Sequence, residues 1–155
     1  LSLRVNLFQA FIATVMLHGS ECWVANPQAV LAEVRKKGWE YAVKMTARKK
    51  GESGEFTLKK VRKAYDEINL PGILIKRVLG YYSTLINAEF DNPARDAFYA
   101  KKEWFEPWFF GIKWGEAEKL SKDWFLWNEF MEKCVKQKKH KQTKKSKKRE
   151  KKKFQ

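Results

Sequence analysis

The chain has 155 residues, of which 44 % are hydrophobic, so it is long enough to bury a core and is not a wholly disordered protein. Its formal net charge is +15, from 33 Lys and Arg against 18 Asp and Glu. The two cysteines, Cys22 and Cys134, provide no disulfide framework, which indicates a reducing compartment or buried thiols.

Residues 1–25 are expected to form an apolar N-terminal helix and a linker. The longest apolar run, from Leu7 to Leu17, falls short of the roughly 20 residues that a membrane helix needs, so it predicts a buried helix over residues 2–17. His18, Gly19 and Ser20 should end that helix. No acidic residue precedes Glu21, a pattern typical of an organelle transit segment, and this favours a mitochondrial location.

Residues 26–135 are expected to form a helical body with an aromatic-rich C-terminal half. Asn26 and Pro27 predict a helix start, with a helix over residues 27–48. Gly38 should either stop this helix or mark the close approach of another backbone. A loop is predicted over residues 49–55, followed by an amphipathic helix that is capped at Thr57 and ends at Asn69.

The second half of the body is predicted from similar signals. Leu70-Pro71-Gly72 predicts a tight break, and residues 73–86 are apolar on nearly every side, which predicts a buried helix. Asn92 and Pro93 should start a helix that runs to about Phe105 and is closed by Pro107. After an irregular stretch, a long helix from Glu116 should carry one apolar stripe: Leu120, Trp124, Trp127, Met131 and Cys134.

These elements predict an all-α fold, an irregular helical body of about five helices with a long C-terminal helix and an extended basic tail. No pair of strands and no internal repeat is indicated by the pattern. The helix, turn and helix over residues 57–86 superficially resemble a DNA-reading motif, but the second helix is too apolar to lie in a groove. A structural helical hairpin is the favoured interpretation.

Residues 136–155 form a lysine-rich tail with twelve Lys or Arg and a single acid, Glu150. Like charges repel, and Phe154 is the only large apolar side chain, so this segment cannot fold alone. The natural partner of such a segment is nucleic acid. Lysine outnumbers arginine eleven to one, which favours charge matching to phosphates over base reading. The alternatives are a solvated tail and a localisation signal.

The candidate RNA-binding residues combine this tail with basic clusters of the body. Arg48-Lys49-Lys50 and Lys59-Lys60 flank the loop over residues 49–55, so the two clusters could converge on one face. The alternative to a nucleic-acid-binding face is an ordinary polar helix face, on which Arg62 would pair with Asp66 one turn later. The candidates in the tail are Lys136, Lys138, Lys139, Lys141, Lys144, Lys145, Lys147, Lys148, Arg149, Lys151, Lys152 and Lys153.

Residues 98–130 contain twelve aromatic rings, which we expect to exceed what a small body can cover. Base stacking beside interleaved lysines, a membrane-interface belt and a protein interface are all open, and a core plus a partner-protein interface is favoured. The break at Pro107 predicts that several rings project outward in a loop. The candidate protein-interface residues are Trp104, Trp108, Phe109, Phe110 and Trp114.

Catalytic and metal-binding patterns are weak. There is no Gly-rich phosphate-binding loop, and no Ser or Cys lies in a recognisable nucleophile context. His18 with Cys22, and Cys134 with His140, do not match a usual zinc spacing. We therefore expect a protein that is not an enzyme and needs no cofactor and no metal.

A lysine-rich tail on a helical body is similar in composition to many ribosomal proteins, especially subunits of organelle ribosomes. This resemblance implies a structural RNA-binding subunit of a mitochondrial ribosome, with ribosomal RNA and neighbouring ribosomal proteins as its partners. An accessory subunit of an inner-membrane respiratory or ATP synthase complex is the alternative. In that case the apolar first helix and the Trp-rich block would contact lipid or membrane subunits, and the tail would meet anionic headgroups. A chromatin or DNA-binding protein is a third option.

Overall fold

A computed structural model describes residues 6–19, 26–46 and 58–136, and helices are the only regular elements among those residues. The predicted all-α fold is confirmed. The chain divides into two compact units, residues 1–74 and 75–155, and the boundary falls inside a helix between Leu74 and Ile75. In the described ranges, no helix combines the length and the apolar character that crossing a membrane requires.

The first unit begins with helix α1 over residues 6–16, which contains the π-helical segment Phe8–Ala13 and the α-helical segment Thr14–Met16. A turn over residues 17–19 ends it at Gly19, whose φ of 65° suits glycine. Phe8, Ala13 and Leu17 are buried. The predicted end of the first helix is therefore confirmed.

Helices α2 (Pro27–Thr46) and α3 (Leu58–Ile68) complete the body of this unit. Asn26 starts α2 as predicted, because its side-chain oxygen accepts the backbone N–H of Gln28 at 2.8 Å. The loop predicted over residues 49–55 and the cap at Thr57 lie outside the described residues.

Gly38 does not interrupt α2. It lies instead where neighbouring side chains approach the helix closely. A Cβ atom placed on Gly38 would lie 2.5 Å from Leu70 Cδ1 and 2.5 Å from Tyr65 Oη. The second of the two sequence interpretations is thus the correct one, although side chains rather than a backbone fill the space. The buried residues Leu31, Val34 and Val61 extend this core.

Helix α4 (Leu70–Ile86) follows a break at a single residue. Asn69 has a φ of 52°, and its carbonyl oxygen accepts the N–H groups of Gly72 at 2.8 Å and Ile73 at 3.1 Å. Pro71 therefore lies inside the first turn, where its missing N–H costs nothing, and the predicted break at residues 70–72 was placed too late. The prediction that this helix is buried is confirmed: Ile75, Val78, Leu79 and Tyr82 are all fully buried.

The second unit continues with α5 (Pro93–Ala100), α6 (Lys102–Phe105), a 3₁₀ turn (Glu106–Phe109) and α7 (Trp114–Ser121). Asn92 caps α5 as predicted, since its side-chain oxygen accepts the N–H of Ala94 at 2.9 Å and of Arg95 at 3.3 Å. The predicted single helix to Phe105 is wrong, because the backbone at Lys101 leaves helical geometry, with a φ of −127°.

The predicted long helix from Glu116 is also wrong. Helix α7 ends at Ser121, and a separate helix, α8, covers residues 124–136. Asp123 causes the restart, because its carboxylate accepts the N–H groups of Phe125 at 2.8 Å and Leu126 at 3.1 Å. The apolar stripe is broken at the same place, and Trp124 is exposed while Trp127 is buried.

Replacing Leu79 by alanine should reduce the free energy of unfolding by about 2–5 kcal/mol, since the truncation leaves a cavity in a fully buried position. Thr84 lies on the same helix with an exposed side chain, so Thr84→Ala is the matched control and should change stability by less than about 0.5 kcal/mol. Urea unfolding followed by circular dichroism measures both. A near-neutral Leu79→Ala variant would show that the core lies elsewhere.

Alanine at two helical glycines should have opposite effects on stability. Gly80→Ala meets nothing within 4 Å and should stabilise the protein by about 0.5–1 kcal/mol through helix propensity. Gly38→Ala brings its methyl group to 2.5 Å from Leu70 and Tyr65, so it should destabilise the protein by about 1–3 kcal/mol. Thermal unfolding of the two variants beside the parent chain tests the pair, and a stabilising Gly38→Ala would contradict the close packing.

Candidate nucleic-acid interface

Positive charge is distributed unevenly between the two units. Residues 1–74 carry 12 basic and 7 acidic side chains, whereas residues 75–135 carry 9 basic and 10 acidic ones. The tail adds 12 basic side chains against one acid. The excess of positive charge in the body therefore lies in the first unit, and residues 75–135 contribute no net positive charge before the tail.

Many of the predicted RNA-binding residues lie outside the described residues. These are Arg48, Lys49, Lys50 and the tail beyond Lys136, so the convergence of the loop clusters stays a prediction. Lys136 is exposed at the last described position of α8. Lys59 and Lys60 lie on α3, and the side chain of Lys60 is exposed.

The structure brings α2 and α3 together in a cluster of aromatic and charged side chains: Arg35, Trp39, Arg62, Tyr65 and Asp66. The Tyr65 hydroxyl donates a hydrogen bond to the Arg35 carbonyl oxygen at 2.8 Å, and its ring centroid lies 5.7 Å from that of Trp39. The Arg62 guanidinium lies 4.6 Å from the Trp39 ring centroid. This α2–α3 cluster joins the two helices.

The predicted pairing of Arg62 with Asp66 is confirmed, with 3.2 Å between Nε and Oδ2. Because Arg62 also covers the Trp39 ring, its donors are partly used inside the protein, and Trp39 is less able to stack on a base. The cluster is therefore mainly structural. Burial raises the pKa of Tyr65 to about 12, although the positive charges of Arg35 and Arg62 oppose this shift.

Two other lysines of the first unit, Lys36 and Lys63, are better placed to meet phosphates. Both are exposed, and neither forms an ion pair within the described ranges. Lys37, in contrast, pairs with Glu40 at 3.3 Å. Exposed lysines of this kind bind phosphate by charge alone and contribute little to the stability of the fold.

The predicted aromatic loop does not project outward. Trp108 and Phe109 are 0 % exposed, and Trp114 is also buried. The 3₁₀ turn Glu106–Phe109, followed by positive φ angles of 51° at Phe110 and 110° at Gly111, turns this segment into the core. The prediction that Trp108, Phe109 and Phe110 offer an outward-facing surface is wrong for the first two, and replacing those rings would disrupt the fold itself.

The interface role of Trp104 and Phe110 stays a prediction. Trp104 is exposed, with Lys101 Nζ 5.1 Å from its ring centroid, and Phe110 is half-buried with its centroid 6.4 Å from that of Trp108.

Among the described residues, the second unit has an exposed apolar group at the start of α8 that was not predicted from the sequence. Trp124 is 78 % exposed, Phe125 is 70 % exposed and Leu126 is 43 % exposed. The position of Trp124 on the predicted buried stripe concealed this group. The signal that could have found them is Asp123, a good N-cap residue directly before an apolar run.

A second exposed apolar feature lies on α1. Leu7, Phe11 and Val15 recur at steps of four, so they form one ridge, and Phe11 and Val15 are 64 % and 75 % exposed. No charged residue occurs between Asn6 and Leu17.

Within the described ranges, no group of three or more His, Cys, Asp or Glu side chains could hold a metal ion. Cys134 is buried as a free thiol, and desolvation raises its pKa to about 12, so it is a poor nucleophile at neutral pH.

Replacing Tyr65 by phenylalanine removes the hydrogen bond to Arg35 and should cost about 1 kcal/mol at pH 7. Between pH 10 and pH 12 the unfolded chain releases the Tyr65 proton before the folded chain does, so the parent protein loses stability as pH rises. The stability difference between parent and variant should therefore shrink above pH 10. Tyr41→Phe, at an exposed position, is the control; a difference that stays constant with pH would contradict the raised pKa.

No protein-family model, no curated protein and no solved structure matches this chain.

Proposed function

We propose that this protein is a structural RNA-binding subunit of a mitochondrial ribosome. The observation that carries the proposal is the separation of charge along the chain. Residues 75–135 have no net positive charge, whereas residues 136–155 carry twelve basic side chains and one acid. Such a tail neutralises the phosphate backbone without reading sequence. It would brace ribosomal RNA while the helical units contact neighbouring ribosomal proteins, and no catalytic turnover is involved.

The tail is attached to a helix that supports this role. Helix α8 is held by Trp127, whose indole N–H donates to the Leu79 carbonyl oxygen at 3.1 Å, and by the ion pair between Lys76 and Glu132. Lys133 and Lys136 are exposed near its end. The tail therefore follows directly from a helix that is fixed to the buried helix α4.

The first unit offers a second and weaker contact with phosphates. Its excess of basic side chains, including the exposed Lys36 and Lys63, would add sequence-independent attraction to RNA. These lysines are few, whereas the tail carries twelve basic side chains in twenty residues. The tail should thus supply most of the affinity.

A second candidate function is an accessory subunit of an inner-membrane respiratory or ATP synthase complex. The specific observation in its favour is the uncharged ridge of Leu7, Phe11 and Val15 on α1, which could contact a membrane subunit or lipid. The tail would then meet anionic headgroups.

RNA binding as a function of salt concentration tests the proposal directly. Replacing the twelve basic tail residues by glutamine should weaken binding to single-stranded RNA and lower the slope of log affinity against log salt by about 0.7 per lost phosphate contact. Lys101→Gln/Lys102→Gln, at exposed positions of the second unit, is the matched control and should leave the slope nearly unchanged.

Two results would contradict the proposal. An unchanged salt slope in the glutamine variant would place the RNA contacts in the body. Co-sedimentation of the native protein with a membrane complex or with DNA, in place of ribosomal RNA, would favour the accessory subunit or a DNA-binding protein.

A further inference from the structure

We draw no further inference here: the strongest candidate, the exposed apolar tip of Trp124, Phe125 and Leu126 at the start of α8, is a surface patch, and nothing in the described part of the chain shows what covers it.

Discussion

Packing of aromatic rings on one another is the constraint on which the second unit depends. The ring centroid of Tyr82 on α4 lies 5.1 Å from that of Phe98 and 5.3 Å from that of Phe105, and Phe98 also lies 5.1 Å from Trp114. Each buried ring removes about 150–250 Å² from water, so a few rings build a core from a short chain. Because α5, α6 and α7 all contribute rings, these short helices are held by the same cluster.

The cost of this arrangement is visible at Trp108. Its indole N–H is buried and has no hydrogen-bond partner among the described residues, which costs about 1–3 kcal/mol. Burial of about 200 Å² at about 25 cal/mol per Å² contributes about 5 kcal/mol as an upper estimate. Burial therefore outweighs the unsatisfied donor, and the ring stays in the core.

The parts of the fold that could be predicted are those decided by local chemistry. Asn26 and Asn92 cap helices as expected, and the all-round apolar pattern of α4 does mark a buried helix. The failures arose where two signals competed. The stripe through Trp124 was continuous in sequence, yet the cap at Asp123 restarts the helix and turns Trp124 to solvent. Periodicity alone does not reveal such a restart, because the stripe continues across it.

The candidate site was harder to predict because it depends on which rings reach the core. Twelve rings would exceed what a small body can bury if each ring had to be covered by aliphatic side chains. Here rings pack against rings, with centroids 4.5 Å apart for Phe98 and Phe105, so the block covers itself. Within the described chain, the residual exposure of the block is largest at Trp124 and Phe125, and no ring of the cluster lies against them.

An exposed Trp-Phe-Leu tip would normally favour aggregation, and the charge distribution of this chain explains how a free molecule tolerates it. A net charge of +15 makes two copies repel, and the tail carries most of that charge. Neutralisation of the tail by a polyanion would remove most of that repulsion, and aggregation would then increase unless Trp124, Phe125 and Leu126 were covered.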